Sequence, residues 1–451
     1  MRRRLLLLTL ITGALWAVPA AAGAHGIGGR SDLPIPVEFF VVGGGVVLAL
    51  SFAALAVLWP EPRLQDGPRW RGAGVRLPDA VGTALGVVGI AWLVLVVAAG
   101  LFGDGDARTN IAPVSLWVVF WLVLPFGAAV WGNAYRLYSP WGAMGRFLRI
   151  DWDEAPPAWG VLPAAAAFAA FTWFELVPSN SGEPRQIALA ALFYTAYLMG
   201  WTARVGSRGV ARSVDAFAVY HRLLSAIAPI GRDEQGRIRR RGWLRALPVV
   251  PEVRGLTVFV VLMIGTVSYD GLSATPWWED VATSISESAA GSAWFETIGF
   301  LVMNAAVGGA YLGACWFAAR LGGDEVTTGS VAQRFAHTLV PIALAYAFAH
   351  YFTLVVFEGQ ILIAALSDPF GVGWDLFGTA TWRPNFRWLS PTAIWYVQVA
   401  AIVGGHLAGV ALAHDRALAM FRKRDAVASQ YAMLALMVAL TGLGLTILAA
   451  G

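Results

Sequence analysis

The sequence predicts an all-α, polytopic transmembrane helix bundle of about ten spans behind a cleaved signal peptide. Three observations predict it. Hydrophobic residues make up 58% of the 451 and charged residues only 13%, against about 25% charged in a soluble domain. Mean hydropathy is +0.63. Apolar runs of about 20 residues, the length that crosses a hydrocarbon core, recur along the chain, and the loops between them are basic on alternate sides. The net charge of +4 is therefore read as membrane topology, and no nucleic-acid partner is expected.

The chain opens on "MRRRLLLLTLITGALWAVPAAAGAH". Three Arg, an apolar core and small residues at the end make residues 1–24 a secretory signal peptide. Cleavage after Ala22 and after Ala24 both fit the small-x-small rule. The second would leave His25 as a new N-terminus, whose amine and imidazole together form a chelate suited to copper. The plainer alternative makes His25 a polar residue at the start of a loop.

Residues 25–451 are expected to form a single integral membrane domain. Its apolar runs lie near 38–59, 79–101, 111–132, 158–177, 187–203, 255–272, 294–319, 336–357, 392–413 and 430–449. With the mature N-terminus outside, the predicted cytoplasmic loops hold 24 Arg and Lys and the predicted outer loops five. Such a bias is the positive-inside signature of a multi-pass plasma-membrane protein. The 204–254 segment alone holds eleven Arg. Within it "DAFAVYHRLLSAIAPIG" reads as an amphipathic helix lying on the inner surface, with His221 at the interface. "RDEQGRIRRRGW" reads as a basic loop near anionic headgroups. Cys315 is the one cysteine, which excludes an internal disulfide or a Cys-x-x-Cys pair. No phosphate-binding glycine pattern is present, and the many Gly suit close helix packing.

Ionisable groups inside a bilayer are costly and mark functional sites. In "FAHTLVPIALAYAFAHYFTLVVFEGQ", Phe335–Gln360, His337 falls at the cytoplasmic edge and Glu358 at the outer end. His350 lies roughly 20 Å further out than His337 at about 1.5 Å per residue. Asp270 ends the sixth run, Glu175 ends the fourth, and Gln398 opens the ninth. His350, Asp270, Glu175, Glu358 and Gln398 are thus expected to share one outer layer, with Tyr194 in the outer half of the fifth run. Imidazole with carboxylates suits zinc, manganese, iron or copper, and such a metal lowers the pKa of bound water. The expected catalytic set is His350, Asp270, Glu175 and Glu358. His25, His350 and Asp270 are the expected ligands of a divalent transition metal (zinc, manganese or copper). The structural alternative is that Glu175 and Glu358 sit in headgroup water and the others bond to neighbouring helices.

Two other classes compete. A haem or copper redox protein needs ligands at equal height on two helices. His337 and His350 are 13 residues apart, but His406 and His414 only eight, so only the inner pair His337 and His414 matches. A permease needs a polar path through both halves of the membrane. Midplane His406 and Asn304, with helix-breaking Pro125 and Pro341, fit that need, although no repeat of halves is visible.

The segments "AHGIGGRSDLPIP", "FAHTLVPIALAYAFAHYFTLVVFEGQ" and "WYVQVAAIVGGHLAGVALAHDRAL" carry a resemblance over most of the chain. They are similar to polytopic actinobacterial-type membrane proteins known as fenitrothion hydrolases. The resemblance implies a membrane-bound enzyme that cleaves a small, apolar organophosphate triester, and it implies no residue roles.

Overall fold

The computed structural model describes residues 35–152, 158–285, 289–322 and 326–450. The expected signal peptide, residues 1–24, and His25 lie outside the described residues. The chain is all-α apart from one small sheet. Its principal helices are α1 (Val37–Leu58), α2 (Asp79–Phe102), α3 (Ile111–Trp131), α4 (Leu162–Leu176), α5 (Pro184–Ser213), α6 (Ala216–Ser225), α7 (Leu256–Ser273), α8 (Pro276–Ile285), α9 (Ala289–Ala319), α10 (Val340–Phe357), α11 (Pro391–Met420) and α12 (Tyr431–Ala450).

Among the described residues, eight helical segments are long and apolar enough to cross a bilayer: α1, α2, α3, α7, α9, the segment Thr328–Ser367 that contains α10, α11 and α12. Lipid offers no hydrogen bonds, so the backbone satisfies itself within each helix. Several large apolar side chains on these helices stay outside the protein, as with Val57 at 78% and Phe102 at 79% exposure. Such faces belong to lipid. Two expected spans differ from the rest. Helix α4 has 15 residues, about 22 Å of rise, which is short of a hydrocarbon core of about 30 Å. Helix α5 has 30 residues, but Arg185, Arg204, Arg208 and Arg212 bracket a run that is mixed with Tyr and Thr.

The chain groups into two compact units. One runs to Asp66 and takes in Val260–His350 and Leu389–Gly451, and the other holds Gly67–Phe259 and Tyr351–Trp388. In the first unit, α1 packs on α11 and α12, and α9 packs on α12. Small residues let these helices approach. A Cβ on Gly405 of α11 would stand 2.2 Å from the Ala345 Cβ of α10, and one on Gly271 of α7 would stand 2.3 Å from Ile447 of α12.

In the second unit helix α6 is packed among other helices. Phe217, Tyr220, His221, Leu223 and Leu224 are each at most 3% exposed. Phe217 meets Phe120 at 4.5 Å and Phe171 at 4.9 Å between ring centroids, and Tyr220 meets Trp121 at 5.4 Å. Trp121 lies midway along α3, so α6 turns back into the bundle. The turn into α6 falls at Val214–Asp215, and Gly206 kinks α5 ahead of it with φ 73° and ψ 160°. This is a left-handed conformation that glycine adopts without a Cβ penalty. The apolar side chains read as one face of an interfacial helix are instead covered by α3 and α4. The basic stretch that follows supplies β2 (Ile230–Arg232) and β3 (Ile238–Arg240), which join β1 (Arg71–Val75) in an antiparallel sheet of order β1-β3-β2.

Candidate functional site

The site begins at Gly271. Lacking a side chain, it lets α7 come close enough to α10 that a Cβ there would be 3.6 Å from the His350 ring. The preceding residue is Asp270. Its Oδ2 lies 2.9 Å from His350 Nε2, and the two side chains are 19% and 17% exposed. A carboxylate accepts, so Nε2–H donates to it, and a proton arriving on the ring goes to Nδ1. The pair can therefore take up a proton and stabilise the resulting imidazolium. Gln398 of α11 is 2% exposed and donates from Nε2 to the Ala349 carbonyl at 2.8 Å. It fixes the turn of α10 that carries His350. Three members of the expected layer thus converge in the first unit, Gln398 through the backbone beside His350.

The remaining members have other surroundings. Glu175 and Glu358 belong to the second unit. Tyr351 OH donates to Glu175 Oε1 at a long 3.4 Å, and Glu358 is half-buried in the 3-10 turn Glu358–Gln360. The Tyr194 hydroxyl donates to Asp215 at 3.0 Å and accepts from Ala216 N at 3.0 Å, inside the cap of α6. Asn304 of α9 donates to the Phe300 carbonyl at 2.8 Å and packs on Gly265 of α7. His406 is 3% exposed, and its Nδ1 lies 2.9 Å from the Ile402 carbonyl.

Metal and haem can be tested on these donors. Among the described residues, no three His, Cys, Asp or Glu side chains gather closely enough to hold a metal ion. His350 and Asp270 supply two donors, and a third ligand would have to come from elsewhere in the chain. For haem, both ring nitrogens of His414 face oxygen acceptors, Gln430 Oε1 at 3.1 Å and the Trp59 carbonyl at 3.0 Å. The inner pair His337 and His414 therefore does not present two ring nitrogens to an iron.

Two buried carboxylates were not singled out from sequence. Asp415 is fully buried and accepts from Trp59 Nε1 at 3.1 Å, Arg63 N at 2.5 Å, Leu64 N at 3.1 Å and Gln65 Nε2 at 2.6 Å. Its partners are some 350 residues away, so no local pattern marks it. Asp215 caps α6 by accepting from Phe217 N at 2.9 Å and Ala218 N at 3.1 Å, and it takes the Tyr135 hydroxyl at 2.9 Å. An Asp just before an apolar run is a cap signal, and "VDAF" carried it.

His221 of α6 completes this cluster. Its Nδ1 faces the Phe217 carbonyl at 2.8 Å, its Nε2 faces Tyr138 OH at 3.1 Å, and its ring stacks on Tyr135 at 4.5 Å. Burial pushes its pKa down to about 4. An unfolded His protonates below about 6.5 while the folded one does not. Stability from this group is thus full above pH 6.5 and is lost as pH falls towards 4, by up to about 3 kcal/mol. Burial raises the Asp215 carboxyl, which acts with the opposite sign. In purified protein, thermal unfolding from pH 7 to pH 5 is expected to drop further for wild type than for His221→Phe. Equal drops would show that His221 does not carry the dependence.

Comparison of the chain with family models, with curated proteins and with solved structures finds no match.

Proposed function

We propose that His350 and Asp270 form a general-base pair on the outer side of a multi-pass plasma-membrane protein, and that the pair activates water against a small apolar ester. The observation that carries this reading is the 2.9 Å contact between His350 Nε2 and Asp270 Oδ2 on two membrane-spanning helices. Asp270 holds the ring in one tautomer. A water oxygen attacks the electrophilic centre, its proton passes to His350 Nδ1, and the bond to the leaving group breaks. Each side chain is under a fifth exposed, so most of the pair's surroundings are low in dielectric, where the contact counts for more. The ester class comes from the resemblance to fenitrothion hydrolases, which makes an organophosphate triester the first substrate to try. A metal joining His350 and Asp270 would supply Lewis acidity and a more acidic bound water.

The test is release of the nitrophenol group from fenitrothion by the purified protein. Turnover by wild type with loss in His350→Ala supports the proposal. Equal rates in the two proteins, or no turnover by wild type, contradict it.

A permease is the second reading, favoured by the unpartnered polar atoms that continue inward along the first unit.

A further inference from the structure

Four buried side chains of the first unit carry polar atoms along its depth. Gln398, Tyr346, His406 and His337 are 2%, 6%, 3% and 4% exposed. Gln398 Oε1, His406 Nε2 and His337 Nε2 each have no hydrogen-bond partner among the described residues, and the Tyr346 hydroxyl has Ser268 as its neighbour. More than nine in ten buried polar groups are paired, and each exception calls for a cause. Leaving one unpaired costs about 1–3 kcal/mol.

Their heights are ordered. Tyr346 is one helical turn from His350 on α10, about 6 Å deeper. Its ring lies against Gly444 of α12, and its hydroxyl lies beside Ser268, whose own hydroxyl donates to the Ile264 carbonyl at 2.9 Å. His406 follows Gly405, which packs on Ala345 and on the Pro341 carbonyl, so it lies near the level of Tyr346 or slightly deeper. His337 is nine residues before Tyr346, in the 3-10 turn Ala336–Leu339 of the same segment. Beyond it lie Arg416, which acts on His337 electrostatically, and the His414–Asp415 cluster.

Resting on the His350–Asp270 pair proposed above as a base, we infer that this pair is the outer end of a proton path through the first unit, running by Tyr346 and His406 to His337. With Nδ1 of His406 held by the Ile402 carbonyl, His406 takes up and gives back a proton at Nε2, the Tyr346 hydroxyl accepts one proton and releases another, and water joining them completes a relay. A proton added at the His350 end is matched by one released at the His337 end. No covalent bond other than N–H and O–H changes, and one positive charge crosses per proton. Intramembrane chains of this chemistry mark proton relays.

The full chain in proteoliposomes tests this, with a pH dye inside and a potassium gradient discharged by valinomycin, negative inside. No ester is present. Wild type is expected to acidify the lumen faster than protein-free vesicles. Tyr346→Phe removes one hydroxyl and keeps the ring, and His406→Leu removes the imidazole. Each is expected to slow acidification at least about tenfold, with an unchanged elution profile and melting temperature. Flux equal to that of empty vesicles, or wild-type flux in both variants, overturns the path. Ester turnover is measured separately. A His350-dependent hydrolase without proton flux loses the path alone, and flux without hydrolysis loses the ester alone.

Discussion

Ester turnover by His350→Ala is expected to fall by at least about a hundredfold, the lower range for a positioned general base. The cause is local. Alanine removes both ring nitrogens and leaves Asp270 with no imidazole to orient. Asp270→Asn is the sharper variant, because it keeps the shape and alters the partner of Nε2, which sits 2.9 Å from Oδ2 in the native pair. An amide nitrogen facing Nε2 favours the other tautomer and no longer offsets the imidazolium charge. Its rate is expected to fall to a similar extent with substrate binding little changed. Gln398→Leu removes the tie to the Ala349 carbonyl and is expected to cost less, since it loosens the turn without touching the base. Rates measured at saturating substrate check all three. A Gln398→Leu loss larger than that of His350→Ala would place the chemistry elsewhere.

The largest loss of stability is expected at Asp415. Its carboxylate gathers the Trp59 indole N–H, the backbone N–H of Arg63 and Leu64, and the Gln65 amide, and it is fully buried. Asp415→Ala leaves several donors without an acceptor, and each one that stays buried costs about 1–3 kcal/mol. The segment after α1 is then released from α11. Asp415→Asn keeps one acceptor oxygen and is expected to recover part of the loss. Thermal unfolding of the purified variants measures both. A change below about 1 kcal/mol for Asp415→Ala would mean that the segment is held by packing, such as Phe52 against His414 at 6.2 Å.

The spans were legible because hydropathy is a local property. Runs read at 38–59, 79–101 and 255–272 correspond to helices Val37–Leu58, Asp79–Phe102 and Leu256–Ser273, with Pro36, Pro78 and Gly103 marking ends. The surroundings of helix α6 were not legible. Its amphipathic spacing is the same whether the apolar face meets lipid or the rings of Trp121 and Phe171, and the choice depends on residues far away in sequence. The pairing of His350 with Asp270 was half legible. Counting residues put both near one height, but only the approach allowed at Gly271 brings them together. Glu175 was read by the same count, yet its bond goes to Tyr351. Depth gives a layer and not the order of helices around it. The unpartnered atoms of Gln398 and His406 have no sequence signature at all, because lacking a partner is a property of the packed helices.

The most direct test of the His350–Asp270 pair is a double-mutant cycle on ester turnover. Residues that act as one catalytic unit lose most of the rate when either is removed, and little more when both are. His350→Ala with Asp270→Asn is therefore expected to be no slower than about threefold below the slower single variant. If the two losses multiply, His350 and Asp270 act independently and the general-base pair is contradicted.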